Sequence, residues 1–346
     1  MRSTTLIALA IVTVPVFAAA VLVPAPGGTQ ATAVATAPVF PGLKDWIAGA
    51  AKLTLVGTTG TVTLERKGAA PKPGEVPVDG WTLADKGGYP VDPATIRPIL
   101  SALVALKTVE PKTERPKLYD RLDLGPPGDK GSESKSVELA DGNGADIVKL
   151  IVGRRRYGLA GTDDGIYVRK PDDPHTWLAA PAFDLPADGM AWIDRKLVDI
   201  DADQIKSVSL TPTGGKPLSF TRDKAADKLA VQDLPKDFKL KSDNPGSDVA
   251  PAFRYLDLTD VKPAGTVTAT PVATAHVETF DGLALDVTLI DQDGATWVEF
   301  AAKGSEAATD IAKRTAGWAY KIPDARVKTL ETKLADLQAP PPAKGS

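Results

Sequence analysis

The chain has 346 residues, of which 43% are hydrophobic and 25% are charged. This composition is typical of a folded protein with a sizeable core, as two compact domains or one long repeat-built unit. The net charge of -3 leaves no basic field to hold nucleic acid. The chain has no cysteine, which excludes disulfides, cysteine-ligated metals and a lipidated N-terminal cysteine. The one basic cluster, Arg154–Arg156, is interpreted as a solvated strand face.

An apolar run covers residues 4–23, shortly after Arg2. About 20 apolar residues suffice to cross a bilayer, and the nearby positive charge predicts a cytoplasmic N-terminus with the body in the periplasm. Two interpretations stay open. Ala18–Ala20 has the small-x-small form of a signal-peptidase site, so cleavage near Ala20 would release the protein into the periplasm. The run continues through Val21–Val23, which favours a retained single-pass anchor in the bacterial inner membrane.

The body begins with short alternating segments that predict strands at Leu53–Val56, Thr61–Glu65 and Gly80–Leu83. Asp92 followed by proline is a helix start signal, and the helix behind it is predicted to bury one apolar face. That face consists of Ile96, Ile99, Leu103 and Leu106. Pro98 lies inside this helix and is predicted to kink its first turn.

Tight turns with hairpin chemistry separate further predicted strands. They lie at Asp141–Gly144, Thr162–Gly165, Thr213–Lys216 and Asp291–Gly294. The segment Met190–Leu197 has a helical tendency.

The end of the chain has the same pattern as this first part. Gly317–Tyr320 resembles Gly80–Leu83, and a helix over residues 325–337 is predicted from the spacing found at 94–106. A weaker copy has a strand at Leu229–Val231 followed by Val249, Phe253 and Leu256 at helical spacing. The predicted fold is α+β, with repeated units of an antiparallel β-meander plus a helix behind the N-terminal transmembrane or signal segment.

The predicted organisation has five parts. They are a signal peptide or anchor at 1–23, a flexible linker at 24–45, a first repeat half at 46–200, a second half at 201–338 and a disordered tail at 339–346.

The recurring Gly-Trp motif, the helix after it, Trp177-Leu178 and Asp194–Ile200 resemble one known family. They are similar to the bacterial domain-of-unknown-function 4340 family, over roughly residues 50–338. The resemblance implies a single-span membrane protein encoded beside an ABC-transport system of the gliding-motility type. It therefore implies an accessory subunit of a membrane complex, and it carries over no catalytic residues.

The residue types that support chemistry are few and scattered. His175 and His276 have no neighbour at metal-ligand spacing and are interpreted as surface or strand-face residues. The run Asp199–Asp203 begins like a calcium loop, but Gln204 and Leu210 stand where that loop needs glycine and glutamate. We interpret it as a turn, with an aspartate cap, before Ile205.

Other motifs also favour structural roles. Asp291 and Asp293 are predicted at a hairpin tip, and Gly214-Gly215-Lys216 lacks the full phosphate-loop pattern. Strand patterns place three tryptophans, Trp81, Trp297 and Trp318, in the core. Trp46 follows the linker and is expected at the membrane interface.

These observations predict no catalytic, cofactor-binding or metal-binding residue. The expected function is that of a membrane-anchored periplasmic accessory or scaffold protein, a non-catalytic subunit associated with an ABC-type transport complex. Its expected partners are proteins such as transporter subunits, with strand addition at exposed sheet edges as one route, and its membrane contact is residues 4–23. No nucleic acid or identifiable small-molecule ligand is expected.

Two alternatives stay open. A periplasmic binding protein for cell-wall glycan or another polymer would need a cleft lined by exposed Trp and Tyr. A carboxylate-dependent hydrolase would need two acids close together in a deep pocket, one of them protonated.

Overall fold

Two large antiparallel sheets dominate the computed structural model, which describes residues 36–158 and 164–340. The fold is mixed, with mainly antiparallel strands and short helices, so the predicted α+β class is confirmed at that level. Within the described ranges, no helix combines the length and the apolar character that crossing a membrane requires. The predicted span at residues 4–23 lies outside them.

The first sheet has nine strands in the order β4-β3-β2-β1-β6-β7-β8-β9-β5. They are β1 (Ala50–Gly57), β2 (Gly60–Arg66), β3 (Trp81–Leu83), β4 (Tyr89–Pro90), β5 (Lys107–Pro111), β6 (Lys135–Asp141), β7 (Asp146–Arg156), β8 (Gly165–Arg169) and β9 (Thr176–Ala180). The three strands predicted first along the chain are confirmed as β1, β2 and β3.

The remaining strands form a two-stranded pair, β10 with β14, and an eight-stranded sheet in the order β13-β12-β11-β16-β17-β18-β19-β15. They are β10 (Lys196–Val198), β11 (Ile205–Pro212), β12 (Leu218–Thr221), β13 (Ala230–Val231), β14 (Leu256–Asp257), β15 (Asp260–Pro263), β16 (Pro271–Thr279), β17 (Ala284–Gln292), β18 (Ala295–Lys303) and β19 (Trp318–Lys321). The chain passes from one large sheet to the other between Ala180 and Ile205.

Both large sheets share one connectivity. Strands run outward from the sheet centre, four in the first sheet and three in the second. A helical segment then carries the chain to the opposite edge, and the later strands return from the centre to meet that edge. By this connectivity β13 corresponds to β3, and β19 corresponds to β9. The predicted equivalence of Gly317–Tyr320 with Gly80–Leu83 is therefore wrong. The two segments share a short sequence motif, but the position of a strand in a sheet depends on the strands with which it pairs. The weaker copy at Leu229–Val231 is the one that matches.

Helices are short and lie between strands. They are α1 (Leu43–Trp46), α2 (Pro93–Ala105), α3 (Gly246–Val249), α4 (Glu306–Thr315) and α5 (Asp324–Leu330). Short segments of 3-10 helix lie at Ile47–Gly49, Ala84–Lys86, Pro116–Leu122, Gly189–Trp192, Ala250–Phe253, Ala264–Thr266 and Leu334–Leu337.

The start of α2 is as the sequence predicts. The Asp92 carboxylate accepts the backbone N–H of Ala94 at 2.8 Å, and proline occupies the first helical position. Ile96, Ile99 and Leu103 are buried on one face, and the helix continues through Pro98 to Ala105.

Two helix predictions are wrong in extent. The helix predicted over 325–337 is interrupted because Lys333 has an extended backbone, whose N–H donates to the Asp336 carboxylate at 2.8 Å. Met190–Leu197 contains only one 3-10 turn, which ends at the extended Ile193 and leads into β10. Both segments have the apolar spacing of a helix, but their backbone is extended at Lys333 and at Ile193.

Part of the predicted flexible linker is structured. Val39 donates its backbone N–H to Leu106, and Thr108 donates to Ala37, so residues 37–39 run along the outer edge of β5. Leu43 in α1 is buried. The predicted flexibility therefore does not extend to residues 37–45, because an unpaired sheet edge offers backbone groups that this segment satisfies.

The two large sheets meet edge to edge, along a line that we call the seam. Its members are the turn Ala84–Lys86, Gly87 and β4 on the first side, and β15 and β19 on the second. Lys86 Nζ lies 2.7 Å from Asp260 Oδ1 across it. A single buried apolar cluster contains residues of both sheets, so the core is continuous across the seam.

Close packing at the seam predicts that a larger side chain there lowers the stability of the fold. A Cβ on Gly87 would lie 2.5 Å from Pro263 Cγ, and the residue has φ of 67°. Gly88 also has a positive φ, 87°, but a Cβ there would meet nothing within 4 Å. Gly88→Ala should cost about 1–2 kcal/mol from its backbone alone, and Gly87→Ala about 1–3 kcal/mol more from overpacking. Urea unfolding followed by tryptophan fluorescence measures both; equal losses would contradict the close seam.

Candidate functional site: a cleft at the seam

An aromatic cluster joins the two sheets at the seam. The Tyr89 ring of β4 lies 4.9 Å from the Trp318 ring of β19 in an edge-to-face arrangement, and 6.2 Å from the Tyr320 ring. Tyr89 and Tyr320 are buried, whereas Trp318 is half-buried. Edge-to-face pairs of this kind add to the free energy of burying the rings, so the cluster fixes the position of β4 against β19.

Burial also sets the protonation of this cluster. Desolvation raises the pKa of the Tyr320 phenol well above its usual range, and it raises the pKa of Tyr89 in the same direction. Both phenols are therefore neutral at physiological pH. They contribute packing and hydrogen bonding to the site, and neither supplies a base.

A cleft of about 450 Å³ opens above this cluster. Its walls come from β4 and the start of α2, from the segment before β10, and from α4 and β19. The lining residues are Tyr89, Pro90, Val91, Asp92, Pro93, Asp194, Asp310, Lys313, Arg314 and Trp318. The floor is apolar and the rim carries charges of both signs.

Structural contacts already engage two of the rim groups. The Asp92 carboxylate caps α2, and Arg314 Nη2 donates to the Leu197 carbonyl at 2.9 Å. Arg314 Nε is buried and has no hydrogen-bond partner within the described part of the chain. Asp310 and Lys313 are exposed one helical turn apart on α4. The exposed pair is therefore free to contact a ligand, and the cleft is suited to bind an extended or irregular surface.

His175 and His276 lie apart from this cleft. His175 lines another cleft beside the end of β5 and is close to two carboxylates, with Nδ1 2.6 Å from Asp173 and Nε2 3.2 Å from Glu114. The hydrogen bond with Asp173 raises the pKa of His175. A protonated, exposed imidazole between acids forms a surface ion pair.

His276 lies on the exposed face of β16. Its Nδ1 is 2.6 Å from Asp286 on β17, and its Nε2 is 3.5 Å from Glu278. Burial alone would lower the pKa of His276, but the two carboxylates outweigh it and the pKa is raised. Ser209 is its cross-strand partner on β11, so a serine, a histidine and an aspartate lie in a row. No hydrogen bond joins Ser209 to His276 among the bonds of the described residues, and this row lines none of the clefts described here.

The acidic run Asp199–Asp203 forms a surface turn. Asp199 accepts from Lys196 and from the backbone N–H of Tyr255, and these bonds lower the pKa of Asp199. Asp201 pairs with Arg254 at 3.0 Å. The predicted aspartate cap is replaced by Gln204, whose side chain accepts the Asp201 N–H. Within the described residues, no group of three or more His, Asp or Glu side chains is placed to hold a metal ion.

The other predicted motifs have mixed outcomes. The turns at 141–144, 213–216 and 291–294 are hairpin connections as predicted, and residues 162–163 of the fourth turn lie outside the described ranges. Of the basic cluster, Arg154 pairs with Asp123, and Arg155 pairs with Asp164 and Asp184.

The tryptophans differ in how far they are buried. Trp81 is in the core, Trp318 is half-buried in the cleft, and Trp46 is 65% exposed on α1. Its place at a membrane interface stays a prediction. Trp297 is buried, as predicted, although it belongs to neither contiguous apolar cluster of the described residues.

One carboxyl has an environment of the kind that acid catalysis uses. Burial raises the pKa of Glu331, with repulsion from Asp291 as a second cause. It lines a cleft of about 400 Å³ together with Lys328, Lys333 and Asp336. Asp336 is engaged as the acceptor of the Lys333 N–H, so its carboxylate is committed to a backbone contact.

Sequence analysis did not identify the seam cleft. Its residues come from segments as distant as residues 89 and 318, and no local spacing links them. The one available signal was the amphipathic stretch of α4, whose apolar positions Ala308 and Ile311 face the core and place Asp310 and Lys313 outward.

Comparison with protein families gives one match. A family model with the description "Domain of unknown function (DUF4340)" matches residues 81–279. The match begins in β3 of the first sheet and ends in β16 of the second, within the range of the sequence resemblance. No curated protein matches the chain.

The His276–Asp286 pair predicts a pH-dependent contribution to stability. Because the folded pKa is raised above 6.5, the stabilisation is complete below that pH and is lost as pH rises through the folded pKa. Asp286→Asn should therefore cost more at about pH 6 than at about pH 9. The difference should be at most about 1 kcal/mol, because solvent screens a pair this exposed.

Urea unfolding at the two pH values measures this difference. Asp223→Asn, in an exposed loop, is the control and should cost the same at both. A larger cost of Asp286→Asn at the higher pH would contradict the assignment.

Proposed function

The chain belongs to the domain-of-unknown-function 4340 family, and we propose that it is a membrane-anchored periplasmic accessory protein that binds other proteins through the seam cleft. The observation that carries the proposal is the composition of that cleft. Trp318 and Tyr89 lie at an apolar floor, and Arg314 lies on the rim with the exposed Asp310 and Lys313. Protein-binding hot spots are enriched in Trp, Tyr and Arg and are surrounded by polar rims.

Because the sheet edges are short or covered, we expect a partner to bind through side chains and not by adding a strand. The β4 and β15 edges face each other at the seam, and residues 37–39 cover the start of the β5 edge. Beyond Thr108 that edge offers only three residues of β5, the last of which is Pro111, and proline has no N–H to donate. The β13 edge is two residues long. Little open edge therefore remains for a partner strand in the described ranges.

The family resemblance supports the rest of the proposal. It implies a single-span protein beside an ABC-transport system, so the proposed partners are subunits of such a transporter. The apolar run at residues 4–23 is the proposed membrane contact. The shared connectivity of the two large sheets supports repeated meander-plus-helix units, with the cleft formed where one unit meets the other.

One observation favours the glycan-binding alternative. Trp318 is half-buried at the cleft, and sugar rings stack on aromatic faces. The Tyr89 ring meets Trp318 edge to face and is itself buried, so the cleft offers one partly open aromatic surface. This arrangement fits a protein side chain better than a chain of sugars, which needs a row of open platforms.

The first test exchanges the charges on the cleft rim. Asp310→Lys with Lys313→Glu keeps the net charge and should lower capture of membrane partners by about tenfold, because each charge then meets a like charge on the partner. The measurement is quantitative mass spectrometry of proteins that co-purify with the full chain from gently solubilised membranes. The matched control is Asp223→Lys with Lys224→Asp, an equal exchange in an exposed loop of the second sheet.

The outcomes distinguish protein binding through the cleft from the glycan alternative. Partners that are lost with the rim exchange and retained with the control support binding through the cleft. A set of partners equally retained in both variants contradicts it. Rim-dependent retention on immobilised peptidoglycan, without any protein partner, would favour the glycan alternative.

The second test concerns the N-terminus. A retained anchor predicts that the protein in the membrane fraction begins at or next to Met1, and a signal peptide predicts a start near Val21 in the periplasmic fraction. Mass spectrometry of the intact protein from each fraction measures this directly. Full-length protein found only in the cytosol would contradict both.

A further inference from the structure

Trp297 is buried on the side of the second sheet that faces away from the core. Its neighbour Val298 belongs to the main apolar cluster, and successive strand residues point to opposite faces. Trp297 is nevertheless only 7% exposed. Other side chains on this face must therefore cover the indole, which lies outside the main apolar cluster.

Ile290, the cross-strand partner on β17, is buried beside the indole, and two lysines lie against the ring. Lys262 Nζ on β15 lies 3.9 Å from the Trp297 ring centroid, and Lys321 Nζ on β19 lies 5.0 Å from it. The register of β18 with β19 places Lys321 beside Trp297. Lys262 lies opposite Ala319, two residues before Lys321 on the same face of β19, where Glu299 of β18 is the neighbour on the other side. Each cation is attracted to the ring, but they repel each other.

Neither lysine forms an ion pair within the described ranges. Pairing places Asp260 opposite Lys321, but Asp260 Oδ1 accepts from Lys86 Nζ at 2.7 Å and from the Val261 N–H at 2.8 Å. Among residues 36–158 and 164–340, no Asp or Glu oxygen lies within 4.0 Å of either ammonium group. Lys86 at the seam thus takes the acid that would neutralise this pair.

We propose that Lys262, Trp297 and Lys321 form a binding site for a phosphate ester group. Two ammonium groups beside one ring are point charges that suit a tetrahedral anion, whereas a planar carboxylate is better matched by the fork of arginine. An anion between them removes their mutual repulsion. The source of the phosphate is either a phospholipid headgroup or a soluble phosphate compound, and the chemistry of recognition is the same for both.

The test uses fluorine NMR on the full chain labelled with 5-fluorotryptophan and held in lipid nanodiscs. The six tryptophans give six resonances, and Trp297→Phe assigns the one of interest. In one arm, inorganic phosphate is titrated into nanodiscs of zwitterionic lipid, against sodium chloride at matched ionic strength. In the other arm, phosphatidylglycerol is included in the nanodisc and no phosphate is added.

The decisive variant is Lys262→Gln with Lys321→Gln. It removes both charges but keeps side chains that cover the indole, and the other tryptophan resonances report whether the fold is kept. Lys303→Gln is the matched control, since Lys303 is exposed at the end of β18. Each charge-assisted contact to phosphate is expected to contribute about tenfold in affinity.

A saturable shift of the Trp297 resonance with phosphate, weakened about tenfold or more in the double variant and unchanged in Lys303→Gln, supports a soluble source. A shift that appears only with phosphatidylglycerol and depends on the same two lysines supports a lipid headgroup. The proposal is overturned if neither arm moves the resonance, if chloride moves it equally, or if the double variant responds like the unaltered protein.

Discussion

The close approach of two sheet edges at the seam is the constraint on which the rest of the structure depends. Gly87 against Pro263 leaves no room for a side chain, and the Tyr89 ring packs on Trp318 and Tyr320. Sheet edges normally expose unpaired backbone groups, which invite association with other chains. Here each edge shields the other, and the apolar core continues from one sheet to the next. The seam therefore removes two edges and creates a cleft whose walls neither sheet could supply alone.

Charge distribution follows from the same contact. Lys86 crosses the seam to Asp260, and Lys262 and Lys321 on the outer face form no ion pair within the described residues. Elsewhere, carboxylates are committed to local structure. Asp92 and Asp336 accept backbone N–H groups, and Asp199 holds the Tyr255 N–H. These three acids thus stabilise the fold.

The arrangement separates two kinds of surface. The seam cleft has an apolar floor and a rim of both signs, which suits a protein partner. The outer face of the second sheet has two lysines over one indole, which suits a small anion. Both depend on residues of β15 and β19 or their neighbours, because these strands lie where the second sheet ends against the first. Binding at either surface would therefore act on the part of the fold that joins the halves.

The sequence by itself determined the local elements: the first three strands, the hairpin turns and the capped start of α2, since strand alternation and capping are decided within a few residues. It also located the acidic turn at Asp199–Asp203. Only the tertiary structure decided which strands correspond, that Trp297 lies outside the main apolar cluster, and that residues 37–39 run along β5. The cleft belongs to this second group, because its residues lie more than two hundred positions apart. Long-range pairing brings such residues together, and no local periodicity carries that information.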